Sequence, residues 1–138
     1  MKKIIIPGIV AGIIMLIVGM AVSMAFSAVF PSIGAEFQNT GLFRPWSDPL
    51  MMIFLAYPFV LAFVLAWVWD NVKVLLKEKN SLMKGVKFGL YAWVAFSIPG
   101  MFVSYTTFPV SLLMVISWAT SGLAYTLCAG IVFSKMNG

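Results

Sequence analysis

Four long apolar runs, separated by short polar segments, dominate the chain. They cover approximately residues 4–30, 50–69, 85–105 and 110–133. At about 1.5 Å per residue, about 20 apolar residues form a helix that crosses a hydrocarbon core of roughly 30 Å. We therefore predict an all-α membrane protein with a single transmembrane domain over residues 1–138, built from four membrane-spanning helices.

Prolines and short connections add detail to this prediction. Pro7 lies in the first turn of the first helix, where a missing amide hydrogen is tolerated. Asp48 followed by Pro49 is typical of an N-cap and a first helical position, so the second helix should begin there. The turn at 106–109 is short, which makes the third and fourth helices neighbours in an antiparallel four-helix bundle.

The composition agrees with a chain that is solvated mainly by lipid. The 138 residues are 62% hydrophobic and 9% charged, and the mean hydropathy is +1.04. The pI of about 9.6 does not indicate a nucleic-acid partner, because the lysines lie next to apolar runs, where they are typical of membrane topology. A secretory signal peptide also begins with lysines and an apolar core, but the first run is too long for one.

Positive charge is distributed unequally between the predicted connections. Eight lysines fall near the chain ends and in or beside the basic segment 70–84, whereas Arg44 alone falls in the predicted outer loop 31–49. The positive-inside rule therefore predicts that both termini are cytoplasmic and that the stretch LFRPWSDP, residues 42–49, faces outward. We expect a multi-pass protein of the cell (inner, cytoplasmic) membrane whose lysines contact anionic headgroups of the lipid bilayer.

Small residues recur at four-residue spacing along three of the predicted helices. Because apolar burial drives little helix association in lipid, such strips instead let backbones approach closely. We predict that these strips face protein, although glycine is also common in lipid-facing spans. The candidate helix-packing residues are Gly8, Gly12, Gly19, Ser23, Gly85, Gly89, Thr120 and Ala124.

Two prolines make the outer half of the predicted bundle unusual. Pro58 and Pro99 lie within about two turns of the outer helix ends, and each removes one backbone hydrogen bond, which frees carbonyls near Phe54 and Ala95. Methionines and hydroxyl side chains fall at the same depth. We predict an outward-opening crevice between these interrupted helices, roofed by the LFRPWSDP loop.

The predicted crevice brings together residues from the loop and two helices. Arg44 and Asp48 are expected to form an ion pair that closes the loop. In the alternative interpretation, the prolines only shape a compact bundle, the methionines fill gaps and the hydroxyls bond to their own helices. The candidate ligand or crevice residues are Arg44, Trp46, Asp48, Tyr57, Pro58, Ser97, Pro99, Met101, Ser104 and Tyr105.

Residue types that carry catalysis or bind metals are scarce. The chain has no histidine and one cysteine, Cys128, which removes the usual general base and any intramolecular disulfide. No charged side chain lies in the interior of a predicted span, which argues against ion-coupled transport. Met20 and Met24 form an MxxxM suited to Cu(I), but no methionine-rich or histidine-rich outer segment accompanies it. We therefore predict no enzymatic activity, no metal and no cofactor.

Three stretches of the chain resemble uncharacterised small four-span membrane proteins of prokaryotes: GIVAGIIMLIVGM, LFRPWSDPLM and IPGMFVSYTTFPVSL. The resemblance covers nearly the whole chain, implies the four-span fold and carries no catalytic residue. We predict a protein that binds an amphipathic ligand or lipid in the crevice, or that docks a membrane-protein partner or a second copy through its small-residue strips. The alternative function is a small transporter or permease subunit for an uncharged or hydrophobic solute.

Overall fold

Helices make up nearly all of the regular structure of the chain. The structure, a computed structural model, describes residues 1–39 and 41–138, and no strand occurs among them. All the helices except α2 are long and apolar enough to cross a membrane, which confirms the predicted all-helical, multi-pass class of protein. In chain order the helices are α1 (Lys2–Val29), α2 (Pro31–Phe37), α3 (Pro49–Leu75), α4 (Ser81–Thr107) and α5 (Leu112–Met136).

Asp48 and Asn80 cap the beginnings of α3 and α4. Each side chain accepts a hydrogen bond of 2.9 Å from the amide two residues further on. Pro49 occupies the first position of α3, as the sequence predicts. The end of α3 and the start of α4 both extend into the predicted basic segment 70–84. Only residues 76–80 of that segment therefore lie outside the helices.

Two prolines coincide with breaks in the α-helical hydrogen-bond pattern. A 3-10 segment, Phe54–Ala56, precedes Pro58 in α3, and a π segment, Trp93–Ser97, precedes Pro99 in α4. In α3, the carbonyl that Pro58 leaves without its usual amide partner accepts a hydrogen bond from the Tyr57 amide instead. Both breaks lie where the sequence predicts freed carbonyls.

The main hydrophobic core lies towards the end of the molecule that holds Lys3, the 76–80 connection and the last residues of α5, which we call the terminal end. Trp69, Phe88 and Phe133 pack there with ring centroids 5.2 to 6.5 Å apart. Trp69 and Phe133 have no exposed surface. Because these three rings come from three different helices, they join α3, α4 and α5.

A smaller core closes the opposite end, which holds α2 and the connection before α5 and which we call the loop end. Ile33 of α2 is buried there with Val110 and Met114. Towards the loop end, α3 and α4 are loosely surrounded, since no residue of 49–56 or of 93–107 is buried. The tight packing of α3 and α4 is therefore concentrated at the terminal end.

Glycines of α4 and α5 allow the backbones of these helices to touch. A Cβ atom added at Gly85 would lie 2.5 Å from the carbonyl oxygen of Gly130, and one added at Gly89 would lie 2.7 Å from that of Thr126. Real Cβ atoms do not approach backbone oxygens so closely, so larger residues at Gly85 and Gly89 would push the helices apart.

Aromatic rings from α3 and α5 occupy the glycine positions of α1. A Cβ added at Gly8 or Gly12 would lie 2.5 Å from a ring carbon, so each ring fits only because glycine has no side chain. Ser23 and Thr120, in contrast, are exposed, and Ala124 is half-buried. The pairs of glycine and ring are Gly8 with Phe63, Gly12 with Phe59 and Gly19 with Tyr125.

Candidate functional site

The LFRPWSDP stretch has one part that faces the long helices and one that faces away. The Arg44 Nη1 atom lies 3.1 Å from Asp48 Oδ2, which confirms the predicted ion pair. A hydrogen bond from the Leu50 amide, and to a smaller extent one from the Arg44 guanidinium, lower the pKa of Asp48 below its ordinary value of 3.8. Trp46 is exposed, whereas Phe43 is half-buried. The polar residues thus close the loop on itself while Phe43 contacts α5 and the loop-end core.

A cavity of about 270 Å³ lies beside Phe43 at the loop end. Most of its wall is aliphatic or aromatic. The one hydroxyl in the wall belongs to Ser104 and donates to the carbonyl of Gly100 in its own helix at 2.8 Å. The cavity therefore suits an apolar group. Its lining residues are Leu42, Phe43, Ser104, Phe108, Val110 and Trp118.

Contacts from α2 and α5 fix the roof of this cavity. Phe43 packs edge-on against Trp118 with ring centroids 6.1 Å apart. The ring centroid of Phe37 in α2 lies 5.0 Å from that of Phe43. The Glu36 carboxylate accepts hydrogen bonds from the Ser111 amide at 2.8 Å and from its hydroxyl at 2.7 Å. Since Ser111 is the N-cap of α5, α2 and the roof are held to the start of that helix.

Two predicted crevice residues of α4, Ser104 and Met101, have contacts at the loop end. Ser104 lines it, and Met101 packs against the loop-end core. Tyr105 is 48% exposed. The hydroxyls of Ser104 and Ser117 donate to carbonyls of their own helices, at 2.8 and 2.6 Å. These two hydroxyls follow the alternative interpretation, in which polar side chains satisfy their own helices.

The remaining predicted crevice residues lie deeper along α3 and α4. The Tyr57 ring stacks on that of Phe54 and meets the Tyr125 ring edge-on. Pro58 is buried and Pro99 is exposed. Ser97 lies beside α5, where its hydroxyl would be 2.8 Å from a Cβ added at Gly122. The structure thus distributes the predicted residues over several surroundings, of which the cavity is one.

Phe43, Phe108 and Trp118 line the cavity but are not among the predicted site residues. Aromatic side chains near helix ends are typical of the membrane interface. In the sequence, a cavity-lining aromatic residue therefore looks the same as an ordinary interfacial one. The signal that points to them is the concentration of aromatic residues on both sides of the loop-end connections.

A second polar cluster surrounds Asn137 at the terminal end. Its Oδ1 atom accepts from Lys73 Nζ at 2.7 Å, and its Nδ2 atom donates to Asp70 Oδ1 at 3.0 Å and to the Lys3 carbonyl at 3.4 Å. Its backbone carbonyl accepts from Trp69 Nε1 at 2.8 Å. With 7% of its surface exposed, Asn137 joins the ends of α1, α3 and α5. Its near-terminal position gives no sequence signal of this role.

The chain's four carboxylates all have structural partners. Within residues 1–39 and 41–138, no group of three or more metal-ligating His, Cys, Asp or Glu residues is assembled. The four pairings are Glu36 with Ser111, Asp48 with Arg44, Asp70 with Lys73, and Glu78 with Lys87.

Comparisons with known proteins give no relative for this chain. No family model, no curated protein and no solved structure matches it. The resemblance to small four-span proteins of prokaryotes therefore stays a prediction.

Proposed function

We propose that this is a non-enzymatic, multi-pass protein of the cell membrane that binds the apolar part of an amphipathic ligand or lipid at its loop end. The observation that carries the proposal is the cavity between Phe43, Ser104 and Trp118. Small-molecule sites are mostly apolar concavities with a few polar groups, and they begin at about 300 Å³. The volume of about 270 Å³ lies just below this range, so the cavity is of a size for a single hydrocarbon chain or a similarly small apolar group and not for a larger ligand.

The proposed orientation places both termini in the cytoplasm and arranges α1, α3, α4 and α5 as an antiparallel bundle. The charge asymmetry supports it, because Arg44 is the one cationic residue in the loop-end part of the sequence and the eight lysines belong to the other connections and the termini. In this orientation the cavity lies in the outer half of the membrane, where the ligand's apolar chain is shielded from water.

Arg44 is the group best placed for the polar end of such a ligand. It follows Phe43 directly in the chain, and its side chain is 59% exposed. A guanidinium has five N–H donors, and the ion pair with Asp48 engages Nη1. An amphiphile with one hydrocarbon chain and an anionic headgroup therefore fits the proposed site best.

The proposal assigns no reaction to the protein. Catalysis of proton transfer or nucleophilic attack requires a side chain positioned to act as a general acid, a general base or a nucleophile. The general acid or base is most often a histidine. The sequence has no histidine. The carboxylates support the fold through the four pairings described above.

Tryptophan fluorescence tests the proposal, because Trp118 forms part of the cavity wall. The purified protein in detergent is titrated with a fatty acid brominated near the end of its chain, since bromine quenches tryptophan on contact. We expect saturable quenching that is strongly reduced in Ser104→Phe, in which the new ring fills the cavity.

Thr106→Phe is the matched control. The Thr106 hydroxyl also donates to a carbonyl of its own helix, at 2.9 Å, but this side chain is exposed and lines no wall of the cavity. Thr106→Phe should quench like the wild type. Equal quenching in the two phenylalanine variants would contradict the proposed site.

A further inference from the structure

A larger cavity, of about 520 Å³, forms a groove between α3 and α4 at the terminal end. It shares no lining residue with the loop-end cavity. One wall includes Val72 of α3 and Leu76, the first residue of the 76–80 connection, and the other wall runs along α4 from Lys87 through Tyr91 to Phe96. Except for the lysine and the tyrosine hydroxyl, these side chains are apolar.

The length of the groove matches one leaflet of a bilayer. Nine residue steps separate the first and last lining positions of α4, which corresponds to about 13 Å along a helix. This is close to half of a hydrocarbon core of roughly 30 Å. The groove therefore reaches from the basic end of α4 to about the depth at which an acyl chain of one leaflet ends.

Lysines stand at the terminal end of the groove. Lys87 lines it directly, and its ammonium pairs with Glu78. Lys84 lies four residues before the lining residue Phe88, so the two share a helix face, and the Lys84 ammonium lies 5.8 Å from the centroid of the Trp69 ring in α3. Lys77 follows directly after Leu76, the last lining residue of the opposite wall.

The charge at this end is not neutralised within the protein. Residues 70–87 contain five lysines and two carboxylates, and both carboxylates already pair with lysines. In the part of the chain that the structure describes, Lys77, Lys79 and Lys84 have no carboxylate within ion-pair distance. Five positive and two negative charges leave an excess of three positive charges beside an apolar groove.

We propose that this groove binds one acyl chain of an anionic phospholipid, with the lipid phosphate held by Lys84 and Lys77. Charge complementarity identifies the occupant, because an apolar groove that ends at cations matches a molecule with an apolar chain that ends at an anion. The site is separate from the loop-end cavity, and the proposal does not depend on the function proposed above.

Lipid selectivity is the first test. The full-length protein in detergent is mixed with phosphatidylglycerol or with phosphatidylcholine of identical acyl chains, and native mass spectrometry and thermal unfolding are measured. We expect one phosphatidylglycerol to be retained per chain and to raise the Tm, with severalfold less retention of phosphatidylcholine. Glycerol phosphate, which has no chain, should leave the Tm unchanged. Equal retention of the two lipids, or a Tm raised by glycerol phosphate alone, would overturn the proposal.

Two variants locate the lipid. Ala95→Phe places a ring in the groove at an exposed position, and Ala25→Phe is its control at an exposed position of α1. Lys84→Gln removes one cation, and Lys135→Gln is its control at an exposed position of α5. We expect Ala95→Phe and Lys84→Gln each to lower phosphatidylglycerol retention severalfold, while both controls behave like the wild type.

Further outcomes separate this site from the loop-end site. Ser104→Phe should retain phosphatidylglycerol at the wild-type level, because Ser104 lines the other cavity. Wild-type retention by Ala95→Phe, or equal losses in the two lysine variants, would overturn the proposal. Neither result would affect the fluorescence test of the loop-end cavity.

Discussion

The Glu36 carboxylate accepts two hydrogen bonds from Ser111, one from the amide at 2.8 Å and one from the hydroxyl at 2.7 Å. The two residues are 75 positions apart in the chain. Because Ser111 caps α5, the contact places a negative charge at the N-terminus of that helix, where the helix dipole favours it. The same contact holds α2 and the following loop beside the cavity.

Removal of the Glu36 side chain should loosen the loop end. We expect Glu36→Ala to lower the free energy of unfolding by about 1 to 2 kcal/mol, as for hydrogen bonds that involve a charged group near the surface. Ser111→Ala should have a similar effect, and the double variant should cost less than the sum because both changes remove the hydrogen bond between the Glu36 carboxylate and the Ser111 hydroxyl. Denaturant unfolding in detergent measures these differences. Gln38→Ala, at the exposed position directly after α2, is the control, and strictly additive losses would contradict the coupling.

Gly85 and Gly100 of α4 should respond oppositely to the same substitution. A Cβ at Gly85 would lie 2.5 Å from the Gly130 carbonyl oxygen, whereas nothing lies within 4 Å of one at Gly100. We expect Gly85→Ala to destabilise the protein by about 1 to 3 kcal/mol through overpacking. Gly100→Ala should be neutral or stabilising by up to about 1 kcal/mol, since alanine favours the helix. Equal changes in Tm would show that close approach of α4 to α5 is unimportant.

Asn137 should stabilise the terminal end far more than Asn71 does. The Asn137 side chain bonds to Lys73, Asp70 and the Lys3 carbonyl, whereas the exposed Asn71 amide donates to a carbonyl of its own helix. We expect Asn137→Ala to cost about 1 to 3 kcal/mol, because it leaves partly buried groups without partners. Asn71→Ala should lie within about 0.5 kcal/mol of the wild type. Thermal unfolding of the two variants makes the comparison, and matching losses would contradict it.

The ion pair between Glu78 and Lys87 should make stability depend on pH. The hydrogen bond from Lys87 lowers the pKa of the Glu78 carboxyl below its ordinary value of 4.5. A carboxyl with a lowered pKa in the folded state stabilises the fold above its ordinary pKa, and this stabilisation is lost as the pH falls through that value and below. We expect Glu78→Gln to have a lower Tm than the wild type at neutral pH, and the difference to shrink below pH 4.5. A difference that is constant over this range would contradict the assigned role.

Local sequence signals predicted several parts of the fold. Asp48 and Pro49 predicted the first residue of α3, because a cap and a first-turn proline act within a few residues of each other. Pro58 and Pro99 predicted the two breaks in the helices for the same reason, since the missing amide affects the carbonyl four residues before it. The apolar runs predicted the four long helices.

Long-range contacts escaped sequence reasoning. The residues of the Glu36–Ser111 contact and of the cavity wall that joins Phe43 to Trp118 are far apart in the chain. Nothing in the local pattern around Asn137 indicates that it lies among α1, α3 and α5. Such contacts depend on how the helices are placed in space, which periodicity and capping signals do not determine.

Site-directed mapping of a bound amphiphile tests the central claim most directly. The protein is equilibrated with a fatty acid that carries a photoreactive diazirine near the end of its chain, irradiated and digested, and the labelled peptides are identified with and without excess unlabelled fatty acid. We expect competed label on the peptides that contain Phe43, Phe108 and Trp118, the residues that line the loop-end cavity. Label spread evenly over all four long helices, or label that excess fatty acid does not displace, would contradict a binding site at the loop end.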